Sequence, residues 1–186
     1  MVMESNQCFL FYGNYDVSKI QRILEKSNLD WTKFQNRQRA CTDMKNTQTI
    51  PIIFDKRFMN TNYNPIYTEN YELFKVELKS ISEIILEKTN GNGYLLRAIL
   101  VKLFKNSEIP EHVDTVNETF KYSRRIHIPI KTNPDCVFNV GDESINMKEG
   151  EIWEMNNDKL KHSVINNGDK DRIHLIIDWC EKPLPK

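Results

Sequence analysis

Between Tyr94 and Trp179 the chain breaks into short apolar segments divided by turn-forming clusters, and few folds accept such a pattern. The segments are "YLLRAILVKLF" (Tyr94 to Phe104), "RIHIPI" (Arg125 to Ile130), "CVFNV" (Cys136 to Val140), "SINM" (Ser144 to Met147), "EIWEM" (Glu151 to Met155), "HSVIN" (His162 to Asn166) and "RIHLIIDW" (Arg172 to Trp179). The dividers "TNPD", "GDE", "KEG", "NND" and "NNGDKD" carry the Asn, Asp and Gly residues that favour turns. Many short strands at regular spacing indicate a sandwich or barrel. Ahead of them, residues 16 to 28 read as a helix with Asp16 as N-cap and Val17, Ile20, Ile23 and Leu24 at helical spacing. "TQTIPIIF" (Thr47 to Phe54) reads as a strand, with Pro51 arguing for an edge or a kink. A second helix spans Tyr71 to Lys88, with Phe74, Leu78, Ile81 and Ile85 on one face, and "TNGNG" stops it. Helices first and strands afterwards predict a mainly β protein with flanking helices, packed on one face of a jelly roll.

The 186 residues suit one domain, with helical and strand support over about 1–90 and the β core over about 94–180. The 26 basic and 26 acidic side chains cancel, so nothing points to nucleic acid or an anionic membrane. No stretch approaches the roughly 18 consecutive apolar residues of a membrane span. The first residues lack the features of a signal peptide, and a cytoplasmic setting is expected. Cys8, Cys41, Cys136 and Cys180 are widely spaced without C-x-x-C, which predicts reduced, structural thiols.

Strand alternation sorts the polar residues. In Arg125 to Ile130 the isoleucines share one face, and Arg125 and His127 the other. In Arg172 to Trp179, Ile173, Leu175, Ile177 and Trp179 oppose Arg172, His174, Ile176 and Asp178. Either the Arg-His faces are in water, or they line a cavity while the apolar faces meet the helices. Two strands with the same polar pair, in a chain with four histidines, favour the cavity. A buried arginine there needs an anion, which a carboxylate ligand would supply through two parallel hydrogen bonds.

"EHVD" adds His112 and Asp114, two residues apart. Alone, His-x-Asp is more often a solvated loop than a metal site. Two imidazoles and one carboxylate on one face of a metal are the signature of non-haem Fe(II) oxygenases, with positions left open for other ligands. His162, at the start of a late strand, would be the third ligand. Arg172 follows ten residues later across "NNGDKD", placed to point into the same cavity. The same ligand set also suits zinc.

Taken in order, "TQTIPIIF", "IPEHVD", "RRIHIPI", "GEIWEMNN", "KHSVINNG" and "DRIHLIIDW" resemble the aspartyl/asparaginyl β-hydroxylase-like family of 2-oxoglutarate- and Fe(II)-dependent oxygenases, which includes bacterial hydroxylases of free proline. The resemblance covers about Thr47 to Trp179, with a gap through the second helix. It implies a double-stranded β-helix of the cupin kind. It implies that His112, Asp114 and His162 hold Fe(II) and that Arg172 binds the distal carboxylate of 2-oxoglutarate, with O2 as the other cosubstrate. Arg125 and His127 match a family R-x-H pair expected near the cosubstrate or substrate carboxylates. Two departures stand out. The animal protein hydroxylases of the family lack a metal-binding carboxylate at the position of Asp114, whereas the free-amino-acid hydroxylases and most other 2-oxoglutarate oxygenases have one. Many such oxygenases also carry Ser two residues after the arginine, where this chain has His174; His174 or a tyrosine such as Tyr94 is then a candidate for the second contact to that carboxylate.

The function expected is hydroxylation of a proline-like free amino acid with release of succinate and CO2. Protein aspartyl, asparaginyl or other peptidyl hydroxylation is the alternative within that chemistry, and a non-oxidative cupin-like binding protein is the alternative outside it. Arg37 and Arg39 lie in a segment that could fold over the cavity and clamp a substrate carboxylate, though a solvated loop is the simpler account of them. Trp153 and Trp179 read as packing residues, and Glu143, Glu149 and Glu151 as a solvated turn.

Overall fold

The computed structural model describes residues 3, 6–35, 38–39, 42–54, 64–114 and 123–181. Ten strands form two antiparallel sheets. The larger has six: β1 (Phe9–Asn14), β8 (Glu151–Met155), β5 (Ser123–Lys131), β10 (Arg172–Cys180), β3 (Tyr94–Leu103) and β2 (Thr47–Ile53), in that spatial order. The smaller has β4 (Ser107–His112), β9 (His162–Asn166), β6 (Cys136–Val140) and β7 (Glu143–Ile145). Helices α1 (Ser18–Lys26) and α2 (Tyr71–Lys88) lie outside the larger sheet.

The alternation in β5 and β10 decides how these layers meet. Ile126, Ile128 and Ile130 join Ile173, Leu175, Ile177 and Trp179 in one cluster with Ile20 of α1 and Phe74, Leu78, Ile81 and Ile85 of α2. Each such side chain taken from water contributes about 1.5–3 kcal/mol. The apolar faces therefore meet the helices, and the faces carrying Arg125, His127, Arg172 and His174 turn toward the smaller sheet. There a second cluster joins Phe9, Leu103 and Met155 to Ile109, Phe138, Val140 and Val164 across the sandwich. All nine residues of β10 are buried, which explains a strand with no residue left for solvent.

Two strands escape the sequence reading, and both are edges. β4 contains Pro110, which cannot donate to a ladder, and its pairing with β9 slips between Ile109 and His112. β1 pairs only with β8 and bulges between Phe11 and Gly13. Pro51 does sit on an edge strand, β2. The strand expected over Ser144 to Met147 runs instead over Glu143–Ile145. At α1 the helix begins one residue beyond the expected cap: Val17 occupies the cap position, and the Asp16 carboxylate accepts the Ser18 N–H at 3.0 Å. Gly150, with φ +82°, lets the chain enter β8 beside β1; a Cβ there would lie 2.3 Å from the Tyr15 carbonyl oxygen.

Candidate metal and cosubstrate site

The slip in β4 sets His112 directly opposite His162 at the start of β9, with ring centroids 4.2 Å apart. His112 Nδ1 lies 2.7 Å from the Pro110 carbonyl and His162 Nδ1 lies 3.5 Å from that of Leu160. A carbonyl only accepts, so each Nδ1 is the protonated nitrogen and each Nε2 is left bare. Those Nε2 atoms stand 3.7 and 3.8 Å from the two carboxylate oxygens of Asp114. One ligand atom from each of the three residues falls within 4.8 Å of the others, so the trio could hold one ion.

Asp114 is fixed from several sides. Its N–H donates to the Asn157 carbonyl at 2.9 Å, and the Asn157 amide donates to Oδ2 at 2.9 Å. Arg125 Nη1 donates to the same Oδ2. Burial alone would raise the Asp114 carboxyl, but Arg125, with His162, Asn157 and His112, holds it well below the usual carboxylate range. Burial lowers His162 to about 4, so both groups are in metal-binding form at neutral pH.

Three rows of inward side chains follow from the register of β3, β10 and β5. Arg97, Asp178 and Arg125 form the first, Ile99, Ile176 and His127 the second, and Val101, His174 and Pro129 the third. In the first row Asp178, fully buried, pairs with Arg97 and accepts from Arg125 Nε at 3.0 Å. Arg172 begins β10 beyond the third row and is 1 % exposed. Its guanidinium carbon stands 5.4 Å from the Phe138 ring centroid, and its Nε and Nη1 have no hydrogen-bond partner among the described residues. Burial lowers it to about 10, which still leaves a cation at neutral pH. Between Arg172 and the histidine-aspartate cluster sit His127 and His174, with Nδ1 atoms 3.4 Å apart, and His127 Nε2 has no partner among the described residues. Burial first, and Arg172 next, push both histidines well below their ordinary value, so both are neutral.

The structure thus gathers His112, Asp114 and His162 at one place and Arg172, His127 and His174 at another within the same interior. Arg125 lies beside the first group, paired with Asp114 and Asp178 rather than aimed along the Arg172 end. Tyr94 pairs with Cys180 at the far end of β10, roughly 26 Å along the strand from Arg172, which leaves His174 as the nearer candidate for a second carboxylate contact. Arg37 lies outside the described residues, and Arg39 is exposed. Trp179 is buried against the helices and Trp153 packs on Phe9 and Phe11. Sequence reasoning missed the supporting residues. Alternation puts Asp178 on the right face but says nothing of its two arginines, and Asn157 reads only as part of a turn.

A two-sheet jelly roll with two histidines and a carboxylate at one end of its interior, and at the other a buried arginine with two nitrogens unpartnered among the described residues, has the architecture of a non-haem iron oxygenase that takes a dicarboxylate cosubstrate. The profile of the aspartyl/asparaginyl β-hydroxylase family matches residues 17–182, and the chain belongs to that family. It is accordingly a 2-oxoglutarate- and Fe(II)-dependent oxygenase of the hydroxylase kind, using Fe(II), 2-oxoglutarate and O2. Its fold is similar to that of a 2OG-Fe(II) oxygenase family oxidoreductase from Burkholderia pseudomallei (TM-score 0.66, 11% identity, 89% of this chain and 77% of that one). It is also similar to a Trichoplax adhaerens prolyl hydroxylase in complex with a hypoxia inducible factor peptide fragment (0.64, 9%, 95% and 85%). A Pseudomonas putida prolyl-4-hydroxylase gives 0.60 at 8% identity, with 96% and 95% covered. At such identities the likeness is one of fold. No curated protein matches the chain in sequence. No described helix is long and apolar enough to cross a membrane.

Proposed function

We propose that this protein hydroxylates a free amino acid of the proline kind, with His112, Asp114 and His162 holding the iron and Arg172 binding the distal carboxylate of 2-oxoglutarate. The observation that carries the reading is Arg172, a fully buried cation with two unpartnered N–H groups among the described residues. Burying a charge without a partner costs several kcal/mol, on the order that a bidentate carboxylate would return. His127 and His174 line the way from Arg172 to the metal-ligand cluster and are neutral, so they can donate to a carboxylate without adding charge. Arg125 and Asn157 both donate to Oδ2 of Asp114, which would leave Oδ1 as the oxygen free to hold the ion. When bound, the iron and 2-oxoglutarate together supply the oxidising power that places a hydroxyl on a C–H bond, with succinate and CO2 released. The protein's part is to orient, to exclude water and to keep the reaction tied to substrate.

Asp114 supports a free amino acid over the substrates of the family's animal protein hydroxylases, which lack that carboxylate, although most other 2-oxoglutarate oxygenases share it. A peptidyl substrate is the second reading, supported by the fold likeness to a prolyl hydroxylase bound to a peptide. Three buried free thiols, Cys8, Cys136 and Cys180, support a reducing, cytoplasmic setting.

The test is anaerobic addition of Fe(II) and 2-oxoglutarate, watched for the visible charge-transfer band of the chelate. O2 and a panel of amino acids then follow, with succinate measured. A band and succinate stimulated by one amino acid are expected. A band with succinate stimulated only by peptides would select the second reading. Binding of 2-oxoglutarate without any succinate would make the chain a binding protein and overturn the proposal.

A further inference from the structure

Asp178 takes no part in the chemistry above, yet it is the most deeply buried carboxylate near the site. It is 0% exposed and sits in the middle of the large sheet, on the strand that begins with Arg172. Its two oxygens are divided between two strands: Oδ1 accepts from Arg125 Nε at 3.0 Å on β5, and Oδ2 pairs with Arg97 on β3. Arg125 then reaches Oδ2 of Asp114 through Nη1. The four side chains form an unbroken line of alternating charge, Arg97, Asp178, Arg125, Asp114, running from three neighbouring strands to the metal ligand.

We infer that Asp178 is a positioning residue for the metal centre: it fixes the guanidinium of Arg125 so that Arg125 holds one oxygen of Asp114 and presents the other to the ion. The inference rests on the reading of His112, Asp114 and His162 as the metal ligands. A guanidinium is a flat fork, and a partner on Nε fixes the plane in which Nη1 points. Without Asp178, Arg125 turns freely and competes with the metal for both oxygens of Asp114. Arg97 balances the second oxygen of Asp178 and leaves Arg125 as a donor to Asp114.

The experiment is titration of metal-free protein with Mn(II), without cosubstrate, for wild type, Asp178→Asn, Arg97→Gln and the double variant, with the fold checked by circular dichroism. Asp178→Asn keeps the size and one acceptor but removes the charge, and is expected to weaken Mn(II) binding roughly 10- to 100-fold, the usual loss when the partner of a ligand is removed. Arg97→Gln removes a positive charge from the far end and is expected to hold or raise the affinity. A merely structural role would lower both alike. Affinity within about twofold of wild type in Asp178→Asn overturns the inference, as does an equal fall in Arg97→Gln. Should Asp178→Asn fail to fold, the charge-balanced double variant carries the test. Binding weaker than in Arg97→Gln supports the inference, and equal binding overturns it. Asp114→Ala separates this from the underlying reading: if it binds Mn(II) as wild type does, the ligand assignment itself falls.

Discussion

On the proposed reading, Arg172 trades stability for function. Its guanidinium is buried with Nε and Nη1 unpartnered among the described residues, so replacing it by a long apolar side chain should remove a desolvation cost. Arg172→Met is expected to raise the unfolding free energy of the metal-free, cosubstrate-free protein by about 1–3 kcal/mol. The same change removes a charge-assisted pair and should raise the 2-oxoglutarate requirement roughly 10- to 100-fold. Denaturant titration and steady-state succinate formation read the two effects, and a destabilised variant with an unchanged requirement would refute both. His127 and His174 give a pH signature. Both are pushed down by burial, so the folded state keeps them neutral while the unfolded chain takes up their protons below its ordinary value of about 6.5. Their contribution is whole above that pH and is lost as pH falls below it, by up to about 2–3 kcal/mol per pH unit for the two. Denaturant midpoints between pH 7 and pH 5 should show that slope together with a like share from His162, which burial lowers to about 4, and His127→Phe should remove about a third of the total.

Elements were legible where burial on one or both faces left a clear period. α2 runs over Tyr71–Lys88 as its spacing predicts, and Phe74, Leu78, Ile81 and Ile85 are its buried apolar residues, with Glu77 buried as well. Ile81→Ala is expected to cost about 2–5 kcal/mol, read by denaturant unfolding, because the site lies between helix and sheet with little room to collapse. The alternation in β5 and β10 named the cavity-lining residues but left two ways to orient them; only the helices packed on the isoleucines settle which face turns inward. The edges were not legible. β4 carries His112, the first of the proposed ligands, yet its proline and its slipped register hide it, since a strand that pairs on one side needs little pattern of its own. The contacts of Asp178 and Asn157 were beyond reach for another reason: each depends on which strands become neighbours, and no local spacing encodes that.

At the scale of the whole molecule, the interior buries the Arg172 cation and the His112, Asp114 and His162 cluster, so ligand binding there and stability would be coupled. A ligand that binds only the folded state stabilises it by about 2.7 kcal/mol at a hundred times its dissociation constant. 2-Oxoglutarate with Mn(II) should therefore raise the thermal midpoint clearly more than either alone, and equal shifts would argue that the two do not share a site. The crossing from β9 to β10 has a further consequence. It carries His162 at the start of β9 in the smaller sheet and Arg172 at the start of β10 in the larger, joined by the short turn after Asn166. Each strand is paired on both sides within its own sheet, so the separation of the two residues is set by how the sheets stack. With both as anchors for one cosubstrate, that separation would act as a ruler, and keto diacids shorter or longer than five carbons are expected to bind more weakly than 2-oxoglutarate. Discrimination among cosubstrates would then lie in the spacing of two sheets rather than in any one contact.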